Sequence, residues 1–327
     1  MARFLLRRLL NYAVLVAMAT TLGYFLAGTT LHPRSNYEGR NPPLSAASIN
    51  RQLDDLNLND HTPVVTRFGR WLGGVVHGDF GKTVTGDSVT AEMGRRIGVS
   101  LRLLIIGSFL GGVLGVGVGV LGAVRQYHFT DHASAVASFV ILSTPVFLVA
   151  VLLKLAALNL NQVTGVQFLD YTGEYTPGLS GGWAHLLLDR GRHLILPTLS
   201  IVLGQIAFYS RYQRNAMLDL LGSDFLRTAQ AKGLRRNRAL IKHGLRTALI
   251  PMATFFAYNF GLLITGATFT EKIFGWHGMG EWFVDSVTTN DVNAVVTVTL
   301  FVAVLVLIAG MLSDLAYAAL DPRVRIR

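Results

Sequence analysis

Six stretches of the chain, 9–31, 103–124, 133–153, 194–210, 247–270 and 292–313, are apolar over lengths that carry an α-helix across about 30 Å of hydrocarbon. Inside lipid every backbone N–H and C=O must be bonded within the fold, so only helices and closed barrels can span. Barrel strands need only about ten residues of alternating character, and these runs are of helix length. Charged residues make up 15% of the chain, against about a quarter in a soluble domain, and so agree with a bilayer as solvent. The expectation is an all-α polytopic membrane protein with about six transmembrane helices. Arg3, Arg7 and Arg8 ahead of the first run would also suit a signal peptide, but the run is too long for an ordinary signal core and is expected to remain as a span.

Lysine and arginine set the orientation. With the N-terminus in the cytosol, Arg3, Arg7, Arg8, Arg125, the dense set from Arg211 and Arg214 to Arg246, and Arg323, Arg325 and Arg327 fall on the cytosolic side. The outer loops then hold most of the acids, among them Asp54, Asp55, Asp60, Asp170, Glu174, Asp285 and Asp291. This satisfies the positive-inside rule with both termini cytosolic. The net charge of +10 is therefore read as a topology signal and not as a nucleic-acid footprint. The chain divides into a tail with the first span (1–31), an extracytoplasmic loop (32–97), a five-helix core (98–319) that includes a cytosolic segment (214–248), and a cytosolic tail (320–327). In the long loop, Ile49, Leu53 and Leu56 predict a short amphipathic helix on the outer face, and Val64 to Val76 a second. Tyr171, Tyr175 and Trp183 are read as interfacial anchors.

Motifs that carry chemistry are few. The absence of cysteine removes disulfides, thiolate metal sites and a cysteine nucleophile. Gly107, Gly111, Gly115 and Gly119 share one face of the second span and predict close approach of another helix. Gly115-x-Gly117 lies inside that span, not after a strand, and is no dinucleotide motif. Gly81-Lys82-Thr83 resembles the end of a phosphate loop, but Val76 stands where that loop needs glycine. His128, Asp131 and His132 have metal-pair spacing without a supporting shell, so no metal is expected. Among the spans Gln205 is the main strongly polar residue, with Arg102, Lys154 and Asp314 near span ends where they snorkel or pair. An ion-driven pump needs ionisable groups near the midplane, so the energy for any transport is expected from outside the chain.

The most informative polar stretch lies between the fourth and fifth windows, at 223–251. Gly222 breaks the preceding helix, Ser223 is a good N-cap type, and Asp224 in the first turn complements the helix dipole. Phe225, Leu226 and Ala229 then share a face, with Thr228 and Lys232 around it, and Gly233 is placed to end the helix in the left-handed conformation. A short helix with a small apolar ridge follows. On the residues alone two uses stay open: the ridge lies against the membrane, or it enters a groove of a cytosolic protein.

The run Thr228-Ala229-Gln230-Ala231-Lys232-Gly233-Leu234, with His243 and Arg246 before Ala248-Leu249-Ile250-Pro251, resembles the coupling loop of ABC importer permeases, in particular the dipeptide/oligopeptide/nickel branch. Thr247 replaces the usual Asn. The likeness continues through Phe4-Leu5-Leu6-Arg7-Arg8, Gly78-Asp79-Phe80-Gly81, Ser143-Thr144-Pro145-Val146-Phe147, Leu196-Pro197, Glu271-Lys272-Ile273-Phe274, Asp314-Leu315-Ala316-Tyr317 and Asp321-Pro322-Arg323. His277 stands where the family usually has proline.

The resemblance implies a type I ABC importer permease fold, multi-pass in a bacterial plasma membrane, with no catalytic residue, cofactor or metal of its own. It implies as partners a homologous second permease, two ATP-binding subunits that carry ATP and Mg, and an extracytoplasmic solute-binding protein that delivers short peptides. Ser223, Asp224, Phe225, Leu226, Thr228, Ala229, Ala231, Lys232 and Gly233 would form the ATPase-coupling element, moved as a lever, with Pro145 and Pro251 shaping spans beside the path. Relatives for nickel, haem-like compounds and glutathione share the pattern, with peptides the default. A secondary transporter would show inverted repeats or midplane ionisable residues, and a membrane protease would carry its catalytic groups inside the spans. The sequence displays neither.

Overall fold

Apolar runs choose helix, and local chemistry sets where each helix stops. The computed structural model describes residues 2–38 and 41–320, so Arg323, Arg325, Arg327 and the Asp321-Pro322-Arg323 match lie outside the described residues. Among the described residues there are twelve α-helices and no strand. They are α1 (Ala2–Thr30), α2 (Ala46–Asp55), α3 (Val64–Val76), α4 (Val89–Val124), α5 (Phe129–Ser143), α6 (Val146–Thr164), α7 (Trp183–Asp219), α8 (Asp224–Ala231), α9 (Arg236–Ala239), α10 (Leu245–Phe274), α11 (Met279–Thr288) and α12 (Val292–Leu320). One π-helical turn, Leu240–Gly244, joins α9 to α10.

Five of these helices are long and apolar enough to cross a membrane: Arg7–Thr30 of α1, α4, α6, α7 and α12. The third expected window, 133–153, is corrected by the structure, because it is not one helix. Proline has no N–H to continue a helical ladder and drives the residue before it out of the α region. Thr144 is accordingly extended at φ −96°, ψ 126°, so α5 ends at Ser143 and α6 begins after Pro145. The fifth window, 247–270, lies within the 30-residue α10.

The chain forms two units, one of residues up to 101 with 277–308, the other of 102–276 with 309 onward. In the first, α2 and α3 form where the loop pattern placed them, and Ser45 caps α2 by accepting from the Ser48 N–H at 3.2 Å. Part of the α3 apolar side, Val65, Leu72 and Val76, stays exposed, while other apolar residues of both helices pack inward. Ile49, Leu53 and Trp71 are buried in a core with Tyr24, Tyr37, Leu58, Val292 and Val296. Asp291 starts α12 by accepting the Ala294 N–H at 3.0 Å and the Val84 N–H at 2.9 Å.

In the second unit α7 packs against α5, α6 and α10, and its fourth side meets the glycine face of α4. A Cβ on Gly107 would stand 2.8 Å from Ile201 Cγ2, one on Gly115 2.7 Å from Tyr209 Cβ, and one on Gly119 2.6 Å from the Ser210 carbonyl oxygen. At Gly111 it would collide with Gln205 Cβ. Removing four side chains from one face lets the two helices touch at backbone distance, the packing that the glycine spacing predicts. Polar contacts then link α7 to its neighbours: Ser138 to Ser210 at 3.2 Å, Ser200 to Thr270 at 3.3 Å, and Asn259 to Gln205 at 2.7 Å.

Candidate functional site: the helix between the fourth and fifth windows

Helix α8 occupies the expected place, and its closure is fully legible in the backbone. Gly233 has φ +91°, a left-handed conformation that a β-substituted residue adopts only with strain. Its N–H donates to the Gln230 carbonyl at 2.9 Å, and the Leu234 N–H donates to the Ala229 carbonyl at 3.2 Å. This pair of bonds is a Schellman closure, with Leu234 packed back on the core that holds Ala229. The N-terminal end differs from expectation in one respect. Ser223 has the extended backbone of an N-cap, but its hydroxyl donates backwards to the Leu220 carbonyl at 2.7 Å and leaves the first-turn N–H groups uncapped by it. Asp224 stands in the first turn as expected, where its charge faces the positive end of the helix.

The structure splits the predicted apolar ridge. Leu226 is 1% exposed and Ala229 is buried, both in a small core made with Met217 of α7, Ala123 of α4, Ala239, Leu240, and Ala248 of α10. Phe225 is 43% exposed and shares the open surface of α8 with Asp224, Thr228, Ala231 and Lys232. Two consecutive apolar residues thus do different work. Leu226 fixes the helix to the ends of three long helices, while Phe225 presents an aromatic ring outward.

Beside it, Asp131 accepts from Arg214 Nε at 2.5 Å, from Arg214 Nη2 at 2.8 Å and from the Tyr127 N–H at 3.0 Å. Asp131 lies ahead of the span window at 133, and the donating Arg214 guanidinium holds its carboxyl below the usual range while burial opposes the shift. That carboxylate is therefore committed to joining α5 to α7, which accounts for Asp131 between His128 and His132 without a metal. Arg102 pairs with Glu174 at 2.5 Å, as a residue near a span end is expected to do, whereas Lys154, also expected near a span end, lies midway along α6 because the helix starts after Pro145, and it donates to the Ile273 carbonyl at 2.6 Å. His277, at the position the family gives to proline, lies 2.7 Å from Glu281 through Nδ1.

Two groupings escaped the sequence reading. Asp170, Asp189 and His193 have side-chain atoms within 4.8 Å of one another. Asp189 joins the 165–182 segment to α7 by accepting from the Thr176 N–H and hydroxyl at 2.9 and 2.7 Å, while Asp170 accepts from Gln167 at 2.6 Å within that segment and His193 Nδ1 donates to the Asp189 carbonyl at 2.9 Å within α7. Asn259, the partner of Gln205, was also missed. The signal existed, since a carboxamide stands in the middle of the 247–270 apolar window.

Residues 115–326 match the family model described as "Binding-protein-dependent transport system inner membrane component". The chain is 54% identical over 326 residues, covering 100% of both chains, to the oligopeptide transport system permease protein OppB of Mycobacterium tuberculosis. It is 34% identical to the oligopeptide transport system permease protein AppB of Bacillus subtilis, covering 86% of this chain and 87% of that one. To the dipeptide transport system permease protein DppB of Escherichia coli it is 33% identical over 84% of each chain. Among solved structures, a chain of the inward-facing MetNI methionine ABC transporter superposes with a TM-score of 0.53 at 17% identity, over 70% of this chain and 96% of that one, a likeness of fold.

Proposed function

The chain belongs to the family of binding-protein-dependent transport system inner membrane components, and on that footing we propose that it is the membrane-spanning permease subunit of an ATP-driven importer of short peptides. The full-length 54% identity to an oligopeptide permease carries the substrate class. In this reading the chain works with a homologous second permease, two subunits that bind ATP and Mg, and an extracytoplasmic protein that delivers the peptide. Hydrolysis occurs on those partners, and this chain converts their movement into a change of access.

Six crossings serve this role: α1, α4, the window from 133 through the Pro145 break into α6, α7, α10 and α12. Both termini and α8 then lie in the cytosol of a bacterium, in keeping with the distribution of arginine and lysine. Phe225, Thr228, Ala231 and Lys232 form the face that enters a groove on an ATP-binding subunit. Leu226 and Ala229 carry the push to α4, α7 and α10, and Ser223, Asp224 and Gly233 set the ends of the lever. Alternating access follows as a switch between discrete packings, biased by closure of the ATP-binding pair.

The test is reconstitution of the chain in liposomes with those partners. Di- and oligopeptides should stimulate ATP hydrolysis several-fold, while nickel, haem and glutathione should leave the basal rate unchanged. Stimulation by one of the latter compounds and not by peptides would reject the substrate class.

A further inference from the structure

Between α5, α6, α7 and α10 lies a cavity of about 220 Å³. Its wall is largely apolar, including Val146, Val149, Ile201, Phe208 and Leu263, and no charged side chain among the described residues lines it. The hydroxyls on the wall are used at home: Thr144 donates to the Val140 carbonyl at 2.8 Å and Ser200 to the Pro197 carbonyl at 2.8 Å. Two carboxamides are not so occupied. Asn259 Nδ2 donates to Gln205 Oε1 at 2.7 Å. That bond leaves Gln205 Nε2 as a donor and Asn259 Oδ1 as an acceptor, while the Asn259 carboxamide also meets the Tyr209 hydroxyl. Turning both amides over exchanges the roles and leaves the same set, one donor and one acceptor side by side.

Asn259 lies halfway along α10, and Gln205 well inside α7. Polar side chains at such depth in an apolar run are costly and mark function or helix association. Helix association uses part of this pair's capacity, and both residues line the cavity. The approach of α4 at Gly111 provides the space in which Gln205 sits.

We propose that this cavity is a subsite of the translocation path that takes a backbone amide of the passing peptide. The free donor meets its carbonyl and the free acceptor its N–H. The inference rests on the peptide-import reading. A neutral wall without a counter-charge does not suit a terminal ammonium, a carboxylate, a metal ion or a charged side chain, whereas a peptide bond offers one acceptor and one donor. At about 220 Å³, several times the ~30 Å³ share of a water molecule, the space holds a backbone segment and not a whole oligopeptide. Recognition of this kind ignores side-chain identity.

The test uses the complete reconstituted transporter, with trialanine and the same peptide N-methylated at both peptide nitrogens as probes. Uptake kcat/KM is measured for each, and the ratio is divided by the ratio of affinities of the isolated binding protein for the two probes. The wild-type chain should disfavour the methylated peptide by about ten-fold after that correction, the size of one hydrogen bond left unpaired in an apolar site. In Asn259→Leu and Gln205→Met the corrected preference should fall to within about two-fold, a change that loss of packing alone would not produce. If those variants fail to insert, the exchange variant Gln205→Asn with Asn259→Gln keeps one donor and one acceptor and should retain the preference. Equal corrected preference in wild type and variants, absence of any preference in the wild type, or its loss in the exchange variant would overturn the subsite. Failure of the wild type to import either peptide would instead remove the peptide reading, and the subsite with it.

Discussion

Phe225 and Leu226 are neighbours in sequence and opposites in environment, and the contrast makes α8 testable one residue at a time. Phe225→Asp alters an exposed face, so thermal unfolding of the chain in detergent should stay within about 2 °C of wild type, while peptide-stimulated ATP hydrolysis in the reconstituted complex drops to the basal rate. Leu226→Asp places an unpaired carboxylate in the small core with Met217 and Leu240 and should cost on the order of 3 kcal/mol, visible as a large fall in the same unfolding midpoint. Gly233→Val imposes a β-branched side chain at φ +91° and should cost about 1–2 kcal/mol while opening the Schellman closure. Retained coupling in that variant would show that the lever does not need its C-terminal lock. The sequence announced Gly233 because left-handed positions select glycine by sterics. It could not announce that the Ser223 hydroxyl turns back to Leu220, since a serine hydroxyl can accept from an N–H ahead of it or donate to a carbonyl behind it and only the path of the chain decides between them.

Helix pairs are the next level, and there α4 against α7 gives the clearest contrast. Gly115→Leu would drive a side chain into Tyr209 Cβ and the Ile206 backbone and should destabilise by about 1–3 kcal/mol. Gly117→Leu, in the same helix, meets nothing within 4 Å and should leave the unfolding midpoint of the isolated chain unchanged. The spacing of four made this face readable, because a periodic absence of side chains has one simple use in lipid. The Asp131–Arg214 joint between α5 and α7 was not readable, since its partners stand 83 residues apart. Its folded-state pKa lies below the unfolded value, so its contribution is complete above about pH 4 and fades as pH falls through the lowered folded value. The midpoint of wild type should therefore exceed that of Asp131→Asn by a few degrees at pH 7, and the gap should close in strong acid. The break at Thr144-Pro145 was present in the sequence as a proline inside an apolar window, but hydropathy alone does not register a missing N–H.

Taken whole, the chain belongs to a family of membrane transport components, and under the proposed function α8, with Phe225 exposed between α7 and α10, is the place where force from the partner subunits enters. Fold class and the place of α8 were legible because hydropathy, glycine and proline act locally. The burial of Ile49, Leu53 and Trp71 in a core with Tyr24 and Val292 was not legible, because amphipathic helices look alike whether they meet lipid or protein. The absence of cysteine allows a direct test of the coupling claim without a cleared background. A benzophenone maleimide would be attached in the reconstituted complex to Thr228→Cys on the open face of α8, and in parallel to Ala229→Cys on its buried face. Photo-crosslinking of an ATP-binding subunit is expected from position 228, with a yield that changes when ATP is trapped, and little or none from position 229. Crosslinks from 228 that reach only lipid, with the ATP-binding subunits unlabelled in every nucleotide state, would contradict it.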